Sequence, residues 1–133
     1  MYPLAHLILS LIFVILLKFF TVLTPLQLVI ILLASILIYA DHWIVFVLKK
    51  KNLSVSAAYN WFVELDKSGK KFKFLYIFHT IECFAVMALL SIGIQFFRFV
   101  LIGMAFHLVL DIILAIKEGS YFKEVSIIYT LLK

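Results

Sequence analysis

Apolar residues in this chain fall in long runs broken by short polar punctuation. About 20 apolar residues cross a bilayer as a helix. Four such runs fit, at roughly 3–23, 25–48, 74–95 and 98–117. Thr24-Pro25 separates the first two, where proline pre-sets a turn or the first helical position. A short break around Gln95 to Arg98 separates the last two. Both connections are short, so runs 1–2 and 3–4 are expected to form antiparallel hairpins. The long connection is 49–73, and within it Ser54 to Asp66 reads as an amphipathic helix carrying Tyr59, Trp61 and Phe62, with Ser54 as N-cap. In the tail, 118–133, Phe122, Val125, Ile128 and Leu132 recur at helical spacing. The expectation is an all-α integral membrane protein. It is a single domain over 1–133, a four-transmembrane-helix bundle with a cytoplasmic amphipathic loop helix and an amphipathic tail.

Composition agrees. The chain is 66% hydrophobic and 14% charged, with a mean hydropathy of +1.20. A soluble domain is nearer half apolar and a quarter charged. The first run is too long for a signal-peptide core, and no small-residue cleavage site follows it, so it reads as a retained helix. The single Cys83 reads as a small buried hydrophobe.

Charge placement sets an orientation. Lys49, Lys50, Lys51, Lys67, Lys70, Lys71 and Lys73 lie in the loop, and Lys117, Lys123 and Lys133 in the tail. Arg98 and Lys18 fall on the other side. This bias predicts a plasma (inner) membrane protein with the loop and both termini cytoplasmic. The basic loop suits membrane lipids with anionic headgroups rather than nucleic acid.

Against this apolar background, His6, Asp41, His42, His79, Glu82, His107 and Asp111 all lie inside the spans. At about 1.5 Å per residue they sit roughly 5–15 Å from the cytoplasmic ends of all four helices. Ionisable groups in hydrocarbon are costly, and the default reading is functional. His79 and Glu82 are spaced i, i+3, and His107 and Asp111 i, i+4, each pair on one helical face. Bundle proteins build metal sites from such His–carboxylate pairs on facing helices. Asp41 and His42 are adjacent and point about 100° apart, so one of them faces the centre. The alternative is a buried polar network that pairs the helices. His6, near the interface, reads more readily as an interhelical hydrogen bond, and Tyr39 and Trp43 as packing aromatics.

Three motifs in order carry a resemblance: Asp-His in "YADHW", His-x-x-Glu in "FHTIE", and Gly-x-x-x-His-x-x-x-Asp in "GMAFHLVLD". Over about Ala34 to Ile113 the chain resembles the membrane-bound metal-dependent hydrolases. That group includes LexA-regulated inner-membrane proteins and small archaeal and bacterial relatives. The resemblance implies Asp41, His42, His79, His107 and Asp111 as metal ligands. The family often reads Asp-x-Asp-His, and here Tyr39 stands at the first Asp position, which leaves one ligand fewer for a second metal.

The functional expectation is a membrane-embedded hydrolase with one divalent metal. Imidazole-rich sets favour Zn²⁺, with Mn²⁺ or Fe²⁺ as alternatives. Glu82 would serve as general base, and the substrate would be a lipid or amphiphile reached from the cytoplasmic leaflet. The rival is a non-enzymatic metal- or proton-binding membrane protein or transporter subunit. Four helices are thin for transport, so that reading requires a homo-oligomer.

Overall fold

The structure is a computed structural model and describes residues 3–68 and 76–117. The described residues are helical, without strands: α1 (Pro3–Phe20), α2 (Pro25–Leu37), α3 (Ala40–Lys50), α4 (Val55–Lys67), a 3₁₀ turn (Ile77–His79), α5 (Ile81–Gly93) and α6 (Gln95–Lys117). The expected tail helix at 118–133, and Lys70, Lys71 and Lys73 of the loop, lie outside the described residues.

Local chemistry explains most helix ends. Thr24 caps α2 with a reciprocal capping box, Gln27 N–H to Thr24 Oγ1 and Thr24 N–H to Gln27 Oε1, and Pro25 follows as the first helical residue. Ser54 Oγ accepts from Ala57 N–H at the start of α4, as the sequence suggested. The α5–α6 corner is tighter than expected. Ile94 alone is extended, and Arg98 already lies in α6, its guanidinium donating to the carbonyls of Ser91 and Ile92 at the end of α5.

Two findings depart from the sequence expectation, and both lie beside the polar layer. The second apolar run is broken at Ile38–Tyr39. There Tyr39, Asp41 and His42 N–H groups bond three residues back, to Ile36, Ile38 and Tyr39, instead of four. The third run begins not as a helix but as the 3₁₀ turn. Thr80 is extended after that turn and caps α5 by accepting from Cys83 N–H. His79 and Glu82 therefore do not share one helical face, because Thr80 ends the turn before α5 starts.

The helix order in space follows α2 as the central element. α6 packs along it most extensively, α5 covers α6, and α1 lies against α2 and α6. Gly103 sets the α2–α6 approach: a Cβ there would overlap the Ile31 carbonyl oxygen and stand 2.9 Å from Ala34 Cβ. A flat stack of Phe13 on Phe106, centroids 4.0 Å apart, ties α1 to α6. α4 folds back on α3, with Trp61 on Phe46 and Phe62 edge-on to His42.

The interior is unusually polar. Buried beside Ile31, Ile38, Phe46 and Met104 are His6, Ser10, Ser35, Asp41, His79, Thr80, His107 and Asp111. The exterior is apolar, with large side chains such as Ile8, Ile15, Phe19, Leu33 and Ile113 exposed. In water such continuous patches would drive aggregation. Among the described residues two helical stretches are long and apolar enough to cross a membrane, α2 with α3 over Pro25–Lys50 and Gln95–Leu114 of α6. Leu4–Phe20 and Ile81–Gly93 are shorter apolar helices.

Candidate metal centre

Asp111 is the hub of the buried polar layer. It projects from α6 one turn after His107, whose Nε2 lies 3.2 Å from Asp111 Oδ2. From α1, His6 Nε2 comes within 3.1 Å of Asp111 Oδ1. From the 3₁₀ turn, His79 Nε2 comes within 3.3 Å of Asp111 Oδ2. Three imidazoles from three separate elements thus face one carboxylate with the same ring nitrogen.

The opposite nitrogen of each ring is held by a second group. His107 Nδ1 donates to the Ser35 backbone carbonyl at 2.8 Å. His79 Nδ1 lies 3.2 Å from Asp41 Oδ2, and that oxygen also accepts Phe78 N–H at 2.6 Å. His6 Nδ1 bonds the Tyr39 hydroxyl at 2.7 Å. The irregular backbone at Ile38–Tyr39 supplies one of these supports, Tyr39, and the turn at Ile77–His79 supplies the His79 ring itself. A continuous helix through either place would aim the side chains elsewhere.

These supports fix the proton positions on two rings. A carbonyl oxygen only accepts, so His107 Nδ1 carries the hydrogen. An ionised carboxylate only accepts, so His79 Nδ1 carries one too. In the neutral rings, Nε2 of both residues is then a lone pair aimed at Asp111. Lone pairs facing a carboxylate oxygen repel unless positive charge lies between them, as a cation or as protons. His79 Nε2, His107 Nε2 and both Asp111 oxygens are buried, and among the described residues no well-aligned hydrogen bond reaches any of the four despite the short ion-pair distances. Buried polar atoms left this way are expensive. Their convergence fits a shared positive ion better than it fits pairwise hydrogen bonds.

The spacing fits as well. Ligands about 2.0–2.2 Å from a tetrahedral Zn²⁺ lie about 3.3–3.6 Å from each other. The three nitrogen–oxygen separations here are 3.1, 3.2 and 3.3 Å. His6, His107 and Asp111 offer ligand atoms that all lie within 4.8 Å of one another, a group that can hold a metal ion.

The other expected residues take distinct places. Asp41 is buried and supports His79 instead of facing Asp111. His42 lies beside the centre, its ring stacked on Tyr76 at 4.3 Å and 5.6 Å from the His79 ring, with both nitrogens buried and unbonded. Glu82 is half-buried in the first turn of α5. His6 is the principal addition to the expected set, and Tyr39 and Ser35 are supports that sequence reasoning did not assign. At helical spacing His6 is matched on α1 by Ser10 and by no carboxylate, so only its depth hinted at a role. No signal marks the Ser35 carbonyl.

No protein-family model matches the chain, and neither a curated protein nor a solved structure matches it. The functional reading therefore rests on the geometry of this centre.

Proposed function

We propose that the chain is a membrane-embedded, metal-dependent hydrolase that acts on a lipid or similar amphiphile. The observation that carries this reading is the convergence of three imidazole Nε2 atoms on Asp111, two of them with Nδ1 already committed as donors. In this reading His79 joins His6, His107 and Asp111 as the fourth ligand of one divalent ion, Zn²⁺ by the preference of imidazole-rich sets. Such an ion would supply a Lewis acid and acidify water at neutral pH.

The chain's own groups would do the rest. Ser35, Asp41 and Tyr39 hold the three rings in orientation, as supporting partners do in metalloenzymes. His42 stands beside the centre and could move a proton, and Glu82, three residues after His79, is the proposed base. α4 meets His42 through Phe62 and would on that side limit access of bulk water to the centre. Exposed Lys49, Lys50 and Lys51, just before α4, would attract an anionic headgroup.

Four apolar segments would cross the bilayer: α1, α2 with α3, the turn with α5, and α6. The lysine bias would place the centre in the cytoplasmic half, with both termini cytoplasmic. Protein reconstituted with metal in vesicles should hydrolyse some member of a panel of lipid esters and phosphoesters, and His107→Ala should not.

One observation favours a second reading. Four protein ligands fill a tetrahedral site, and closed sites are usually structural, whereas catalytic ones keep a position open. The chain would then be a non-enzymatic metal-binding membrane protein or transporter subunit, working as a homo-oligomer. Co²⁺-loaded protein decides between them. A five-coordinate spectrum that changes on adding a hydroxamate supports hydrolysis, and an inert tetrahedral spectrum supports the second reading.

A further inference from the structure

Beside the centre, α2, α5 and α6 leave an apolar recess of about 270 Å³. Ile30, Ala34 and Ile38 line one wall, spaced i, i+4, i+8, and Phe96, Val100 and Met104 line another at the same spacing. α2 and α6 run in the same sense here, because Gly103 lies against Ile31 to Ser35 and His107 bonds Ser35. The recess is therefore elongated along the helices, over about 12 Å by helical rise. Met87 and Phe78 add to the lining, Leu33 and Leu37 stand exposed along its open side, and every lining side chain is apolar.

One end of the recess lies beside the centre, where Phe78 of its lining donates its N–H to Asp41 Oδ2. Ile38 precedes Tyr39, Phe78 precedes His79, Ala34 precedes Ser35, and Met104 lies three residues before His107. Each of these lining residues thus adjoins a residue that forms or supports the His–Asp cluster. The lining is apolar along its length, so a polar anchor for a ligand there would have to come from the neighbouring His–Asp cluster. The recess fits a ligand with an apolar tail and one polar head. An apolar cavity of about 150 Å³ holds a benzene molecule. At the same density about 270 Å³ holds roughly ten carbon atoms.

We propose that this recess is the acyl-chain subsite of the centre. It takes one alkyl chain of roughly ten carbons, lying along α2 and α6, and presents the attached polar group to the His–Asp cluster. The substrate class is then a single medium-length chain with a polar head, and Phe96 at the far end sets the chain length. This inference rests on the reading of the centre as one that acts on an amphiphile.

The test uses photoreactive fatty acids of six, ten and sixteen carbons, each with a diazirine at the tail. They are added to purified full-length protein in detergent, and metal content is measured on the same samples. The ten-carbon probe should label peptides containing Met87, Phe96 or Val100, at least tenfold above the other two lengths. Val100→Trp fills the recess and should abolish that labelling while metal content stays at the wild-type value. Phe96→Ala lengthens the recess and should shift the preference to the longer probe, which keeps the test decisive if Val100→Trp fails to fold. Equal labelling by all lengths, indifferent to both variants, would mean bulk lipid contact and would overturn the subsite. Metal at one ion per chain without selective labelling overturns the subsite and leaves the centre standing. Selective labelling without metal supports the subsite and removes the metal from the account.

Discussion

Gly103→Ala is a one-carbon test of how the centre is held. The added Cβ would overlap the Ile31 carbonyl oxygen and stand 2.9 Å from Ala34 Cβ and 3.0 Å from Ser35 N. Carbon contacts are comfortable at about 3.5–4.0 Å, so α6 must move from α2 by at least about 0.6 Å. Ile31 and Ser35 contribute backbone here, and a flexible side chain cannot absorb the shift. The His107 Nδ1 to Ser35 O bond, now 2.8 Å, would stretch to about 3.4 Å, beyond the usual range for such bonds. Overpacking costs about 1–3 kcal/mol, and the weakened hydrogen bond adds about 1 kcal/mol. Alanine's higher helix propensity returns roughly 0.5–1 kcal/mol. The net expectation is a loss of about 1–3 kcal/mol, with metal affinity reduced about 10- to 100-fold through the lost orientation of His107. Gly93→Ala is the matched control, because nothing lies within 4 Å of a Cβ there. Unfolding titrations in mixed micelles and metal titrations on both variants measure these effects. If Gly103→Ala behaves like Gly93→Ala in both assays, the close α2–α6 approach does not position the centre, and the reasoning fails.

Other predictions address the supports and the ion. Tyr39→Phe removes the hydroxyl on His6 Nδ1 and should weaken metal binding about 10- to 100-fold. Ser35→Ala should leave it unchanged in the same titration, because the supporting group at Ser35 is its backbone carbonyl. Asp41→Ala should both weaken the metal and destabilise the fold by about 1–3 kcal/mol, since it strips the part-buried Phe78 N–H of its acceptor. Stripping the metal with a chelator should lower thermal stability, and an ion supplied at about 100 times its dissociation constant should restore about 2.7 kcal/mol. Three ligating imidazoles must be unprotonated, so metal affinity should fall as pH drops from 8 to 5, while a mere hydrogen-bond network would show no metal dependence at any pH.

The run lengths and turn residues made most helices legible. Pro25 after Thr24, and Ser54 before the aromatic helix, marked ends that the structure places at the same residues. Spacing along one helix also paired His107 with Asp111. What spacing could not show was contact between elements. His6 meets Asp111 and Tyr39 across space, and no periodicity on α1 encodes that. The break at Ile38–Tyr39 lacks glycine and proline, so nothing in composition signals it. Thr80 followed by acidic Glu82 is a helix-start signal, and read that way it would have placed His79 ahead of α5 instead of on it.

The central claim is a single metal ion held by groups from α1, the 3₁₀ turn and α6. Elemental analysis of detergent-purified protein tests it most directly, comparing wild type with His6→Ala, His79→Ala and Asp111→Ala. The account predicts close to one divalent ion per chain in wild type and a loss in all three variants, including His6→Ala on the distant first helix. Wild type without metal after reconstitution, or full occupancy in His6→Ala and Asp111→Ala, would contradict it.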